Sequence, residues 1–184
     1  MNIGFDIDGV IANFKQRFIE IIGEKYDVIL TDSDMYSYDP NLVLGVSKAE
    51  VGEVIVKTLS SDLPLYPEAK ETLEKLTAQG HNIYLLTARH QSLIQVTSTW
   101  LKKNDIPYKE VFYLPQGRKS EVNIQLDLIV EDNLAEALEL SNKIKHVLLF
   151  DQPWNKTKNV KDLIKRVHSW SEVYQEVERV TRLS

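Results

Sequence analysis

Short apolar runs that close on polar or acidic residues recur along the chain, at Ile3 to Ile7, Asn82 to Leu86, Val111 to Leu114, Leu126 to Val130 and His146 to Phe150. Each has strand length and is rich in β-branched or aromatic residues, so each predicts a strand. Helical patterns with recognisable ends lie between the later ones. Pro67 suits a first turn, Leu73 and Leu76 share a stripe, and Gly80 supplies a stop. Ser169 with Glu172, and Asn133 with Glu136, have the spacing of capping boxes or their near relatives. Val173, Val177 and Val180 mark a last amphipathic helix whose stripe core packing explains. Strands alternating with helices predict an α/β fold with a parallel sheet covered on both faces.

The alternation fails once, after the first strand, where residues 14–66 read as helices and loops. One helix is expected from near Gly9 past Phe18 to Gly23. Another starts at Ser47, where Glu50 completes a Ser-x-x-Glu cap and Val51, Val54, Ile55 and Leu59 share a face. Thr31-Asp32-Ser33-Asp34 and Asp39-Pro40-Asn41 between them are loop chemistry. The expected organisation is a core of residues 1–13 and 67–184 with residues 14–66 as a small helical cap inserted after the first strand.

Composition narrows the function. At 184 residues, with 43% hydrophobic and 27% charged positions, the chain suits one domain with an elaboration. The net charge is −5 and the basic residues are scattered, which argues against polymeric nucleic acid as a partner while allowing a small anion at a local site. No cysteine is present, so thiolate chemistry and Cys-ligated zinc are excluded, and a reducing cytoplasm is the expected setting. Asp6 comes too early for a signal peptide and no apolar run approaches the ~20 residues of a membrane span, so a soluble intracellular protein is expected. His81, His90, His146 and His168 have no metal-ligand spacing. The sequence is compatible with a homodimer and leaves the oligomeric state open.

In open parallel sheets, ligands bind at the carboxyl ends of the strands. The first predicted strand ends in Phe5-Asp6-Ile7-Asp8-Gly9-Val10, two carboxylates two residues apart where the chain leaves the sheet. Such a pair can share Mg²⁺, which takes a few oxygen ligands and leaves its other positions to water and phosphate. The second ends in Thr87-Ala88-Arg89, whose hydroxyl and backbone N–H groups suit phosphate oxygens. Lys119 follows the third strand and can hold charge electrostatically. Glu131-Asp132, at the end of the fourth, completes a cation site.

These four segments, in this order, closely resemble the four motifs of the haloacid dehalogenase superfamily of phosphohydrolases. The resemblance implies a Rossmann-like core, an Asp6 nucleophile and an Asp8 general acid and base. It also implies Mg²⁺ held by Asp6, the Asp8 backbone carbonyl and Asp132, with Glu131 supporting through water. The run from Asp6 to Phe14 is similar to the start of the 5′(3′)-deoxyribonucleotidases, which implies a nucleoside monophosphate substrate and a Phe14 that stacks on the base. Phe150-Asp151-Gln152-Pro153-Trp154-Asn155 resembles a loop of bacterial members. Ala88 departs from the second hydroxyl of characterised mammalian members.

Other readings stay open here. Phe14 can equally pack on Phe18 as core, and Tyr36, Tyr38 and Tyr66 can wall a base pocket or fill the cap. A phosphatase for sugar phosphates would use the same motifs. A signalling receiver domain fits poorly, since the third strand ends in Leu114-Pro115-Gln116 without an aspartate.

Overall fold

The computed structural model describes residues 1–37, 45, 47–156 and 164–183. The expected Asp39-Pro40-Asn41 loop and Tyr38 lie outside the described residues. The strands are β1 (Asn2–Asp6), β2 (Asn82–Thr87), β3 (Glu110–Tyr113), β4 (Leu128–Glu131), β5 (His146–Phe150) and β6 (Ile164–Val167). They form one parallel sheet in the order β3-β2-β1-β4-β5-β6. The order reverses beside β1, so a crevice opens at the carboxyl ends of β1 and its neighbours. β6 was not anticipated from the sequence.

Helices α1 (Phe14–Tyr26) and α2 (Lys48–Leu59) follow β1, and α3 (Ala69–Ala78), α4 (Ile94–Lys103), α5 (Leu134–Leu140) and α6 (Trp170–Thr181) cover the sheet. Alternate strand residues feed two cores. Ile3, Phe5, Leu85 and Val130 join Leu73, Leu101, Trp170 and Val177 on one face, while Leu86, Ile129 and Leu149 join Ala137 and Leu140 on the other. Each large apolar side chain so buried contributes about 1.5–3 kcal/mol. A third cluster of Phe18, Ile21, Ile22, Met35 and Val54 belongs to the helices after β1. Among the described residues no helix is long and apolar enough to cross a membrane.

Helix α1 begins at Phe14, several residues later than the expected start near Gly9. The reason is the turn before it. Gly9 has a φ of +87° and its N–H donates to Ala12 O at 2.9 Å, while Ala12 N–H returns to Ile7 O at 2.8 Å. Helical backbone starts only once Asn13 can cap Gln16 N–H. α2 has the expected cap: Ser47 accepts from Glu50 N–H and the Glu50 carboxylate accepts from Ser47 N–H. Thr31 to Asp34 is a capped 3₁₀ turn. Asn133 caps α5, but the Glu136 carboxylate accepts from Gly117 N–H instead of completing the box.

The segments on either side of α1 and α2 are pinned to each other and to the sheet's helices. Asn13 N–H donates to Pro64 O at 2.8 Å and Tyr66 N–H to Ile11 O at 2.9 Å. Two buried indoles reach the same segments, Trp170 Nε1 donating to Val10 O at 3.0 Å and Trp100 Nε1 to Leu63 O at 2.8 Å.

Candidate active site

Three strand ends converge at the sheet's carboxyl edge. Asp6 closes β1, Thr87 closes β2 and Glu131 closes β4, with Asp132 next in the chain. Lys119 enters from a short 3₁₀ turn, Lys119–Glu121, between β3 and β4. Its ammonium sits 2.7 Å from Asp6 Oδ1 and 2.7 Å from Glu131 Oε2. Glu131 Oε1 accepts from the N–H groups of Asp132 at 3.2 Å and Asn133 at 3.1 Å. Both Glu131 oxygens are thus engaged, and the residue orients Lys119 and the start of α5.

The balance of charge differs between the two halves of the site. Asp8 faces Arg89 in a two-pronged ion pair, Nε to Oδ2 and Nη2 to Oδ1, both at 2.7 Å. Arg89 Nη1 also donates to Thr97 Oγ1 at 3.1 Å, so each nitrogen of the buried guanidinium has a partner. Asp6, Glu131 and Asp132, by contrast, bring carboxylate oxygens within 4.8 Å of one another around a single ammonium. Two negative charges there lack a counter-charge. Burial, with Glu131 and Asp8 adding repulsion against the pull of Lys119, pushes the Asp6 carboxyl up to about 7. Burial, followed by Asp6 and Glu131, raises Asp132 well above the carboxylate range. For Lys119 burial works against the charge, but Asp6 and Glu131 outweigh it and hold the ammonium well above its ordinary range.

Asp132 Oδ2 accepts from Trp154 Nε1 at 2.9 Å, whereas its buried Oδ1 has no hydrogen-bond partner. An orphaned buried oxygen is costly. Oxygen donors, excess negative charge and an unpartnered carboxylate oxygen are what a hard divalent cation such as Mg²⁺ requires, so Asp6 and Asp132 fit it. Gly9 has to be glycine for a second reason beyond its φ. A Cβ there would lie 2.3 Å from Asp132 Oδ2, so only a bare backbone lets the β1 loop approach this carboxylate.

The structure gathers Asp6, Asp8, Arg89, Lys119, Glu131 and Asp132 through direct contacts. Thr87 is buried and its Oγ1 accepts from Arg89 N–H at 3.2 Å, which leaves its own hydroxyl hydrogen to donate. Ala88 is exposed beside it. The Asp8 side chain is turned to Arg89 and stands outside the three-carboxylate cluster. Phe14 stacks on Phe18 with ring centroids 5.5 Å apart and packs against the third apolar cluster.

The loop after β5, noted from the sequence only for its resemblance to a loop of bacterial members, also contributes to the site. Gln152 Nε2 donates to Gly9 O at 2.7 Å and to the Tyr66 hydroxyl at 2.6 Å, joining β1's loop to the segment just before α3. Asn155 Nδ2 donates to Asp132 O at 2.7 Å and Phe150 O at 2.8 Å. Polar residues on either side of Pro153-Trp154, directly after a strand, were the available signal. An open cleft of about 500 Å³ runs along this loop, lined by Lys15, Asp32, Ser33, Tyr36, Asp151 and Gln152 among others.

Comparison with known proteins gives this geometry a family. The model of the 5′ nucleotidase, deoxy (pyrimidine), cytosolic type C proteins matches residues 1–183. A nucleotidase of Clostridium acetobutylicum is 35% identical over 185 residues, covering 98% of this chain and 95% of that protein. A Chlorobaculum tepidum protein whose name proposes a 5′(3′)-deoxyribonucleotidase is 24% identical, covering 94% and 87%. Among solved structures, the L-2-haloacid dehalogenase of Xanthobacter autotrophicus superposes with a TM-score of 0.65 at 11% identity, covering 96% of this chain and 98% of that one. A HAD-superfamily hydrolase from Ehrlichia chaffeensis gives 0.58 at 9%, covering 98% and 97%. With the fold of the haloacid dehalogenase hydrolases and a family match along nearly its whole length, the chain belongs to the 5′ nucleotidase, deoxy (pyrimidine), cytosolic type C family and is a nucleotidase.

Proposed function

We propose that this nucleotidase hydrolyses nucleoside monophosphates, deoxyribonucleotides among them, through a phosphoryl group carried on Asp6, with Mg²⁺ at Asp6 and Asp132. The observation that carries the reading is the unpartnered Oδ1 of Asp132 beside Asp6 in a buried site short of positive charge. Held there by Asp6 and Asp132, Mg²⁺ would supply the positive charge that the site lacks and that a phosphate group needs. An Asp6 oxygen forms a bond to phosphorus while the bond to the nucleoside oxygen breaks, and Asp8, after leaving its ion pair with Arg89 and taking up a proton from solvent, gives that proton to the leaving oxygen. Water then bonds to phosphorus, Asp8 takes the water's proton, and the bond to Asp6 breaks to free phosphate. Lys119 holds Asp6 in place for both displacements, and Thr87 offers its hydroxyl to a phosphate oxygen.

Residues 14–66 act in this reading as the cap over the site. The half-buried Phe14, first residue of α1, would meet the base. The cysteine-free chain suits a cytoplasmic setting. The test is phosphate release from ribo- and deoxyribonucleoside monophosphates and sugar phosphates, with MgCl₂ or with EDTA. Release confined to nucleotides and lost in EDTA is expected. Release in EDTA at the same rate would remove Mg²⁺ from the reading, and preference for sugar phosphates would remove the base.

Arg89 gives a separate expectation. Its contacts put it behind Asp8, so Arg89→Lys, which loses the fork but keeps the charge, should lower kcat by about 10²-fold with KM little changed, since a small misplacement of a reacting group costs that much. A raised KM at unchanged kcat in steady-state assays would instead place Arg89 on the substrate phosphate.

A further inference from the structure

The loop after β5 is built so that one indole is held firmly. Arg166 donates to Asn155 Oδ1 at 2.6 Å and to Asn155 O at 2.8 Å, and Asn155 is in turn tied to Phe150 O and Asp132 O. From that frame Trp154 reaches two regions. Its Nε1 donates to Asp132 Oδ2 at 2.9 Å. Its ring packs against the apolar cluster of Phe18, Ile21, Ile22, Met35 and Val54 in the helical insertion. The first contact decides which oxygen of Asp132 is committed and which, Oδ1, is left for another partner.

We propose that Trp154 is a positioning residue that couples cation binding at Asp6 and Asp132 to the seating of the helical insertion. The proposal rests on the reading of Asp132 as a cation ligand. A carboxylate held at one oxygen by an N–H presents the other in a fixed direction, and such outer partners change metal affinity by about 10- to 100-fold. Because the same ring is part of the insertion's packing, a cation that fixes Asp132 also steadies the surface on which α1 and α2 rest. Linkage makes the effect reciprocal: an insertion seated by a bound nucleotide raises cation affinity by the same factor.

Trp154→Phe keeps an aromatic ring and removes the N–H. Two measurements use metal-free full-length protein: calorimetric titration with MgCl₂, and amide hydrogen exchange in α1 and α2 with and without MgCl₂. The wild type is expected to bind Mg²⁺ and to exchange more slowly in α1 and α2 when it does. The Phe variant should bind Mg²⁺ about 10- to 100-fold more weakly and lose that slowing. A merely structural role would lower the stability of the metal-free variant and leave its Mg²⁺ affinity unchanged. Equal affinities overturn the coupling and leave the cation site standing, as does wild-type exchange in α1 and α2 that ignores MgCl₂. Failure of the wild type to bind Mg²⁺ overturns the site itself and the coupling with it. If the Phe variant does not fold, the wild-type exchange comparison decides alone.

Discussion

Asp6→Asn should abolish phosphate release, by about 10⁴- to 10⁶-fold in kcat, because an amide cannot serve as the nucleophile and removing one member of a catalytic unit costs on that order. The fold should survive. The amide oxygen can still accept from Lys119, whose other partner, Glu131, is untouched at 2.7 Å. Stability also acquires a different pH dependence. A carboxyl whose folded pKa is raised contributes stability that is fully present below its ordinary value of 3.8 and lost as pH rises through about 7. In EDTA the wild type should therefore lose stability between about pH 4 and 7, and the Asn variant should lose less over the same window. Urea midpoints across that range, with circular dichroism for the fold and a phosphate assay for turnover, check all three. Turnover within 100-fold of the wild type would remove Asp6 from the nucleophile's role.

The parts of this architecture that the sequence showed are those with a local signature. β1 to β5 stand out because each is an apolar run closed by polar residues, and β1 and β4 deliver Asp6, Glu131 and Asp132 at their ends. β6 has no such run: in Ile164-Lys165-Arg166-Val167 two basic residues separate the apolar ones, as a strand that among the described residues pairs only with β5 permits. The start of α1 was misplaced because the Gly9 turn is set by hydrogen bonds to Ala12 and by the Asp132 carboxylate, neither of which marks the helical pattern.

Pairings across long separations were likewise invisible. Asp8 and Arg89 lie 81 positions apart, and nothing near either residue announces the two-pronged bond. Residue type alone suggested phosphate for Arg89, where the fold supplies a carboxylate. Gln152, Trp154 and Asn155 brace Gly9 and Asp132 through single side-chain contacts, which leave no periodicity to read. What ties the site together is thus mostly polar, non-local and buried, and such bonds bind a β1 loop, a β4 end and a β5 loop into one frame.

Lys119→Met should be the most destabilising substitution in the site. The ammonium is 3% exposed and the sole cation in direct contact with Asp6 and Glu131 among the described residues. Methionine fills its volume but leaves three carboxylates facing one another, and removing one partner of a buried ion pair typically costs about 3–5 kcal/mol. For a chain of this size that corresponds to a fall in Tm on the order of 10 °C. Catalysis should fall about 10²- to 10³-fold as well, the usual loss when one fixed electrostatic contact to the reacting groups is removed. The origin of the loss can be separated from simple misfitting. If it is uncompensated charge, MgCl₂ should restore more stability to the variant than it adds to the wild type. Lowering the pH from 8 to 5 should do the same, since protons on Asp6 and Asp132 relieve the repulsion that Lys119 no longer offsets. A variant within 1 kcal/mol of wild-type stability by urea denaturation, or one indifferent to both MgCl₂ and pH, would mean that Lys119 is not what holds these carboxylates together.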